Sequence, residues 1–458
     1  MTDSVLPAPT HDAPHAGRAL HLRRSLTVLP LVFVMYFNIS GGAFSLEGLV
    51  AEVGPGMALL IIVLIPLVWA LPETLIVGEL ASMLPVEGGY YRWVQRAFGP
   101  YAAFQNGWMT WVYSLVDMAI YPVLFNQYLA FFFPGLGGAA RWLVALAVIW
   151  GATAVNLRGA LRVGWTSVAA GAVVLGGFLA LTLAALPNAG RVPWRPFTLP
   201  GSGGELGALG VALSLALWNY IGWDNASTVQ EEVVDASRSY PRALFVTLPL
   251  VTLGYLAPLT AALSASDWST WREGGWPDIA RHAAAWGGPA IAVWLAAAGM
   301  VSALALFNSL LMAYSRIPLV MAADGLLPRR LAATDARGTP RAAVLVSAVF
   351  YSLFALLPLG QLVVADILLY ALALFLEFAS LVALRAREPG LRGPFRLPLG
   401  TAGVALLAAL PMAVLVFVVV LGLRDPEMGL PAIAGALAAA ALGPPLYLLA
   451  DRARRRAG

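Results

Sequence analysis

Apolar residues run along this chain in long blocks separated by short polar segments. The blocks fall at roughly 27–51, 57–82, 101–133, 141–157, 164–187, 207–232, 241–265, 287–322, 341–358, 362–384, 402–423 and 429–450. Most approach or exceed the roughly 20 residues an α-helix needs to cross about 30 Å of hydrocarbon. The pattern therefore predicts an all-α polytopic membrane protein with about twelve transmembrane helices and little mass outside the bilayer. Two blocks are interrupted. The first reads MYFNISGGAFSLEG, with Ser40, Gly41 and Gly42 in its middle, and the sixth reads LWNYIGWDNAST, with Gly222 beside Tyr220. An unwound helix frees N–H and C=O groups that hydrocarbon cannot satisfy, so such a break lines a cavity or meets a ligand. Blocks 1 and 6 open two successive sets of five. Matched interruptions there point to an inverted-repeat transporter with its site at the repeat interface. Taken singly, the glycines would also suit close helix packing.

Composition sharpens this picture. The chain is 60% apolar and 11% charged, against about 25% charged in soluble domains, and its mean hydropathy is +0.78. All 28 basic residues are arginine. With the N-terminus inside and twelve spans, 22 of them fall on the cytoplasmic side, leaving only Arg141, Arg191, Arg195, Arg272, Arg281 and Arg424 opposite. That asymmetry is what the positive-inside rule expects. The net charge of +4 thus follows the loops and calls for no nucleic acid. Residues 1–25 read as a cytoplasmic tail and not as a cleaved signal. The expected location is the cytoplasmic membrane, multi-pass, with both termini inside and the lipid bilayer as the surrounding partner.

Two absences exclude most chemistry. Without cysteine there is no thiolate nucleophile, disulfide or iron–sulfur ligand set. The four histidines, His11, His15, His21 and His282, lie in the tail or a polar loop, so no span offers an imidazole base or zinc ligand. Neither an enzyme nor a metal site is expected. The expected organisation is a tail (1–25), a first five-helix repeat (26–187), a second, inverted one (207–386), helices 11 and 12 (402–450) and a short tail (451–458).

Four stretches carry a family resemblance: SGGAF from Ser40, PETLIVGELASMLPVEGGYYRW from Pro72, EEVVDASRSYPRAL from Glu231 and SRIPLVMAADGLLP from Ser315. Together they resemble the amino acid–polyamine–organocation transporters over almost the whole chain. GGAFSLE, SLVDMAIYPVLF, LWNYIGWDNAST and LEFASLVALR are similar to the polyamine-uptake branch of plants and protists and its bacterial relatives. Where that branch usually reads Gly-Gly-Pro-Phe followed by Glu-Asp, Ala43 and Gly48 stand here. The resemblance implies a LeuT-type fold of two inverted five-helix repeats plus two helices, broken helices 1 and 6, and solute movement by alternating access.

An ionisable residue inside a span is costly and is read as functional by default. Asp117 stands mid-span with Tyr113, Ser114 and Tyr121 on one helical face, which suits either solute contact or a structural bond to a tyrosine. Asp224 follows the second break, as a solute contact or an N-cap. Glu47 is an entry-path charge or a solvated one. Asp366, Tyr370 and Glu377 share a face of span 10, as pathway wall or as interhelical glue. Glu73, Glu79 and Arg316 are expected to pair as an inner gate or a structural ion pair.

The N–H groups freed around Ile39, Ser40, Gly41 and Gly42 suit a carboxylate, and the carbonyls freed near Asn219 and Tyr220 suit an ammonium. Trp111, Tyr113, Trp218 and Tyr220 offer surfaces for an apolar group or a cation. The expected partner is therefore a small amine-bearing solute, an amino acid or a polyamine. No cofactor is expected. Proton coupling has Asp117 and Glu377 as candidates, and sodium, at span 1 carbonyls with Ser302, stays open. The expected function is secondary active transport of that solute by alternating access as a proton-coupled symporter; an exchanger, or a receptor that binds without transport, is the alternative, and the oligomeric state is undetermined.

Overall fold

The computed structural model describes residues 22–197, 205–355, 360–422 and 429–457. The described chain is helical, and apart from the isolated Leu26–Val233 bridge it shows no strand pairing. Nine helical stretches are long and apolar enough to cross a membrane, and Val28–Ile39 and Arg341–Phe354 are apolar but shorter. Long apolar segments become helices here because in lipid every backbone polar group must be satisfied within its own segment.

The helices follow the predicted order. Span 1 is Val28–Ile39 and, after a break, the start of Leu46–Ile65, which turns at Gly54 and Pro55 into span 2, ending with Leu71–Met83. A short helix, Gly89–Phe98, leads into span 3, Pro100–Leu129, and spans 4 and 5 are Gly138–Asn156 and Ala160–Ala185. Span 6 begins as Glu205–Trp218, unwinds, and resumes as a 3-10 helix, Asn225–Glu232. Span 7 is Ala236–Ala265, and span 8 is Gly288–Tyr314, continued by Arg316–Ala323. Arg341–Phe354, Gly360–Arg387 and Thr401–Gly422 are spans 9 to 11, and Gly429–Ala441 with Gly443–Ala457 forms span 12. The two interruptions therefore sit in the first and the sixth of these spans.

At both breaks a glycine adopts a backbone that other residues resist: φ is +96° at Gly42 and +98° at Gly222, the region only glycine enters without a Cβ penalty. The inner half of span 6, Asn225–Glu232, is a 3-10 helix where an α-helix would continue the span. Its side chains explain the tighter coil. Thr228 Oγ1 lies 2.9 Å from the carbonyl oxygens of both Asn225 and Ala313, which share its one hydroxyl hydrogen, and such local bonds compete with the α-helical ladder. Outside contacts also hold it: Gly88 N–H donates to Thr228 O at 2.9 Å, and Val234 N–H donates to Leu26 O at 2.9 Å.

The arginine-rich end is closed by ion pairs, and their partners differ from those expected. Arg316 donates through Nε and Nη2 to Glu232 Oε1 at 3.0 and 2.6 Å, with Glu87 at 3.7 Å. Glu79 is clamped by Arg385, whose Nη1 also donates to Leu399 O. Among the described residues Glu73 meets no basic group; its Oε1 lies 2.9 Å from the hydroxyl oxygen of Tyr370. Helical phase locates a charge along its own helix but says nothing about which neighbouring helix faces it.

Candidate functional site

Between the two breaks lies an enclosed cavity lined from spans 1, 3, 6, 8 and 10. Asn38, Ile39, Gly41, Gly42 and Phe44 come from span 1; Tyr113, Asp117, Tyr121 and Leu124 from span 3. Trp218, Asn219, Ile221 and Asn225 come from span 6, Ser302, Leu306 and Tyr314 from span 8, and Tyr370 from span 10.

Among the described residues Asp117 is the one acid in this wall, 4% exposed, and no described arginine or histidine lines the cavity. Tyr121 donates to its Oδ1 at 2.8 Å and Tyr314 to its Oδ2 at 3.0 Å. A carboxylate has about four acceptor positions, so these two bonds orient it and leave capacity for an ammonium group. Rings surround it. Tyr121 stacks on Trp218 with centroids 6.3 Å apart, and Tyr113 meets Tyr314 edge-on at 5.7 Å, an arrangement that also favours a cation over ring faces. Both polar atoms of the Asn38 side chain are buried without a hydrogen-bond partner among the described residues. Buried amides are normally satisfied, so a polar group of a solute has a place to bind here.

The sequence expectations sort clearly against this geometry. Ile39, Gly41, Gly42, Asp117, Trp218, Asn219, Ser302 and Tyr370 line the cavity. Ser40 does not; its Oγ accepts from Gly42 N–H at 3.1 Å. Gly222 and Asp224 lie one layer behind, Gly222 N–H donating to Tyr370 Oη at 3.1 Å and Asp224 Oδ1 lying 3.1 Å from the same hydroxyl oxygen. Tyr220 turns away and donates to Ile62 O at 3.2 Å. Trp111 sits on the far side of span 3, against Phe350 at 5.3 Å, in a separate apolar cavity.

Glu47 is neither solvated nor in an open mouth. It is fully buried, and its Oε1 accepts from Tyr128 at 3.1 Å and from Gly274 N–H at 2.9 Å, fastening the 271–276 loop to span 1. The carbonyls expected to receive an ammonium are already taken: Asn219 O by Tyr255 at 2.7 Å and Tyr220 O by Trp223 Nε1 at 2.8 Å. Ser302 Oγ donates to Gly41 O at 2.6 Å. Glu377 lies off the cavity beside Asn106, and the side chain of Asp366 lies outside the described residues.

Sequence reasoning missed Asn38, Asn225 and Tyr314. Asn38 was legible as the polar residue just before the break. Tyr314 had one mark only, its place directly before the Ser315 motif.

Gly222 gives a direct test of the break. A Cβ there would meet the Asn38 carbonyl and Asn225 Nδ2 at a φ of +98°, and left-handed backbone alone costs about 1–2 kcal/mol for other residues. Gly222→Ala is expected to lower transport by about tenfold or more, read as initial uptake rate in proteoliposomes at matched protein content.

A bundle of apolar helices, two of them broken around a buried polar cavity, defines a membrane solute carrier. The chain belongs to the amino acid permease family, whose model, "Amino acid permease", matches residues 28–432. It is 36% identical over 404 residues to polyamine transporter PUT1 of Oryza sativa subsp. japonica, covering 87% of this chain and 74% of that protein. It is 33% identical over 406 residues to polyamine transporter RMV1 of Arabidopsis thaliana, covering 88% and 81%. Similarity to an uncharacterized transporter of Legionella pneumophila is 24% over 436 residues, covering 89% and 91%. The protein is therefore a multi-pass membrane transporter of this family and not an enzyme.

Proposed function

We propose that this protein is a proton-coupled importer of diamines and polyamines that works by alternating access, with its arginine-rich end in the cytoplasm. The observation that carries this reading is the charge of the cavity wall: among the described residues it holds one carboxyl, Asp117, ringed by tyrosines and a tryptophan, and no basic side chain. An ammonium finds a counter-charge there, whereas a solute carboxylate would meet no cation. The similarity to proteins named polyamine transporters supports the same solute class. Inward movement of a polycation is also favoured by the membrane potential, worth about 2.3 kcal/mol per charge per 100 mV.

The test is uptake of labelled putrescine into proteoliposomes, with a pH gradient and a membrane potential imposed separately and a panel of amino acids as competitors. The expected result is putrescine accumulation that a pH gradient drives at zero potential and that amino acids leave unchanged. Carriage of neutral amino acids with no response to putrescine would overturn the reading. Putrescine exchange insensitive to either gradient would identify an exchanger instead.

A further inference from the structure

Behind the cavity, Tyr370 stands between two acids. Its hydroxyl oxygen lies 2.9 Å from Glu73 Oε1, 3.1 Å from Asp224 Oδ1 and 3.1 Å from the Gly222 amide nitrogen. A tyrosine hydroxyl has one hydrogen to donate and two lone pairs to accept with. Gly222 N–H occupies one lone pair, and the hydroxyl hydrogen satisfies one carboxyl. The other carboxyl can bond to the remaining lone pair only as a protonated donor. The three contacts together therefore require one proton on Glu73 or Asp224.

The surroundings provide no substitute for that proton. Glu73, Asp224 and a third acid, Glu377, are each at most 1% exposed, and the titratable groups that face them are tyrosines. Tyr370 shares span 10 with Glu377, Tyr240 approaches from span 7, and Tyr90 approaches from the Gly89–Phe98 helix. Tyr113 of span 3 faces Tyr370, and Tyr351 of span 9 faces Tyr90. None of the described basic residues pairs with the three acids. Adjacent carboxyls without a cation cannot all ionise in a buried site. Among the described residues the buried hydroxyl of Tyr90, which faces Asp224 and Glu377, has no hydrogen-bond partner, and neither do Glu73 Oε2 and Glu377 Oε2.

The cluster is also joined to the solute cavity. Tyr370 lines that cavity and meets Tyr113 edge-on at 5.5 Å; Tyr113 meets Tyr314, which holds Asp117. Gly222 and Asp224 belong to the break of span 6, whereas Glu73 belongs to span 2 and Tyr370 to span 10.

We propose that Glu73 and Asp224 share one proton through Tyr370 and that this proton is the one carried with the amine. It binds while the cavity faces the arginine-poor side, and it leaves to the other side when the shift of span 6 breaks the Tyr370 bridge. The free carboxylate then takes up the next proton. This inference rests on the proton-coupled reading above.

The experiment uses the full chain in proteoliposomes with the potential clamped at zero and a pH gradient of about one unit. One proton per solute then supports at most about tenfold accumulation, since one unit is worth about 1.36 kcal/mol. Wild type is expected to accumulate putrescine and to move protons with it. Glu73→Gln and Asp224→Asn are each expected to lose that roughly tenfold accumulation and the accompanying proton movement, while putrescine–putrescine exchange continues and loses its pH dependence. Gradient-driven accumulation in either variant overturns the inference. Should both variants fail to fold, the infrared carbonyl band of a protonated carboxyl in wild type at neutral pH decides, and its absence overturns the inference. Putrescine transport by wild type without proton movement defeats this inference alone, whereas no amine transport at all defeats the underlying reading.

Discussion

Asp117→Asn is expected to lower putrescine transport by about one to two orders of magnitude. A hydrogen bond to a charged partner contributes about 1.5–3 kcal/mol, and each 1.4 kcal/mol is a factor of about ten. The amide keeps the volume of the carboxyl and still accepts from one tyrosine, but it removes the single negative charge of the cavity wall. Of the two hydroxyls that orient Asp117, one then faces an NH2 group and has to turn away. The fold is expected to survive, because the side chain is replaced by an isostere. Initial rates over a range of putrescine concentrations, together with thermal melting in detergent, separate these effects. A raised KM with unchanged melting supports amine recognition by Asp117. An unchanged KM would assign the carboxyl to packing. Tyr121→Phe and Tyr314→Phe are expected to have smaller effects, since each removes one orienting bond and leaves the charge.

The second large effect is on stability. Arg316→Met is expected to destabilise the protein by about 3–5 kcal/mol, the usual cost of removing one partner of a buried ion pair. Arg316 is 1% exposed and faces Glu232 and Glu87, 2% exposed each. Methionine fills much of the same space but leaves two carboxyls without a cation. Neither oxygen of Glu87 has any hydrogen-bond partner even with the arginine present, so the arginine charge is the principal compensation for burying it. The loss is read as a lower Tm or a shorter half-life at fixed temperature, the appropriate measure where unfolding is irreversible. Adding Glu87→Gln and Glu232→Gln to Arg316→Met is expected to restore part of the loss, because the stranded charges disappear with the arginine. Failure of that rescue would mean that Arg316 acts through its bonds to Met312 O and Ser315 Oγ. Arg316→Lys is expected to fall between, since an ammonium cannot reproduce a guanidinium that holds one carboxylate through two nitrogens.

The different fates of the acids show how far a linear reading reaches. Asp117 was recognisable because a charge in mid-span must face the protein interior, and its i±4 tyrosines marked the face. Glu73, Glu79 and Arg316 were recognised as buried ions but matched wrongly, because partners come from helices far apart in sequence. Glu79 finds Arg385 more than three hundred residues away. Trp111 and Tyr220 looked like cavity aromatics by proximity to Asp117 and Gly222, yet each points from the opposite side of its backbone into other packing.

Hydropathy, arginine placement and the two glycine interruptions were enough to establish an all-helical membrane protein with breaks in the first and sixth spans. These are local consequences of the backbone's need for hydrogen bonds in lipid and of the conformational freedom of glycine. What only the tertiary structure decided was pairing: which side chains from spans 1, 3, 6, 8 and 10 share one cavity, which carbonyls at the breaks are already bonded, and that one tyrosine hydroxyl joins Glu73 to Asp224. The physical reason is that helical phase sets the direction of a side chain from its own axis, whereas contact depends on the rotation and crossing of a second axis, and those follow from the packing of the whole bundle.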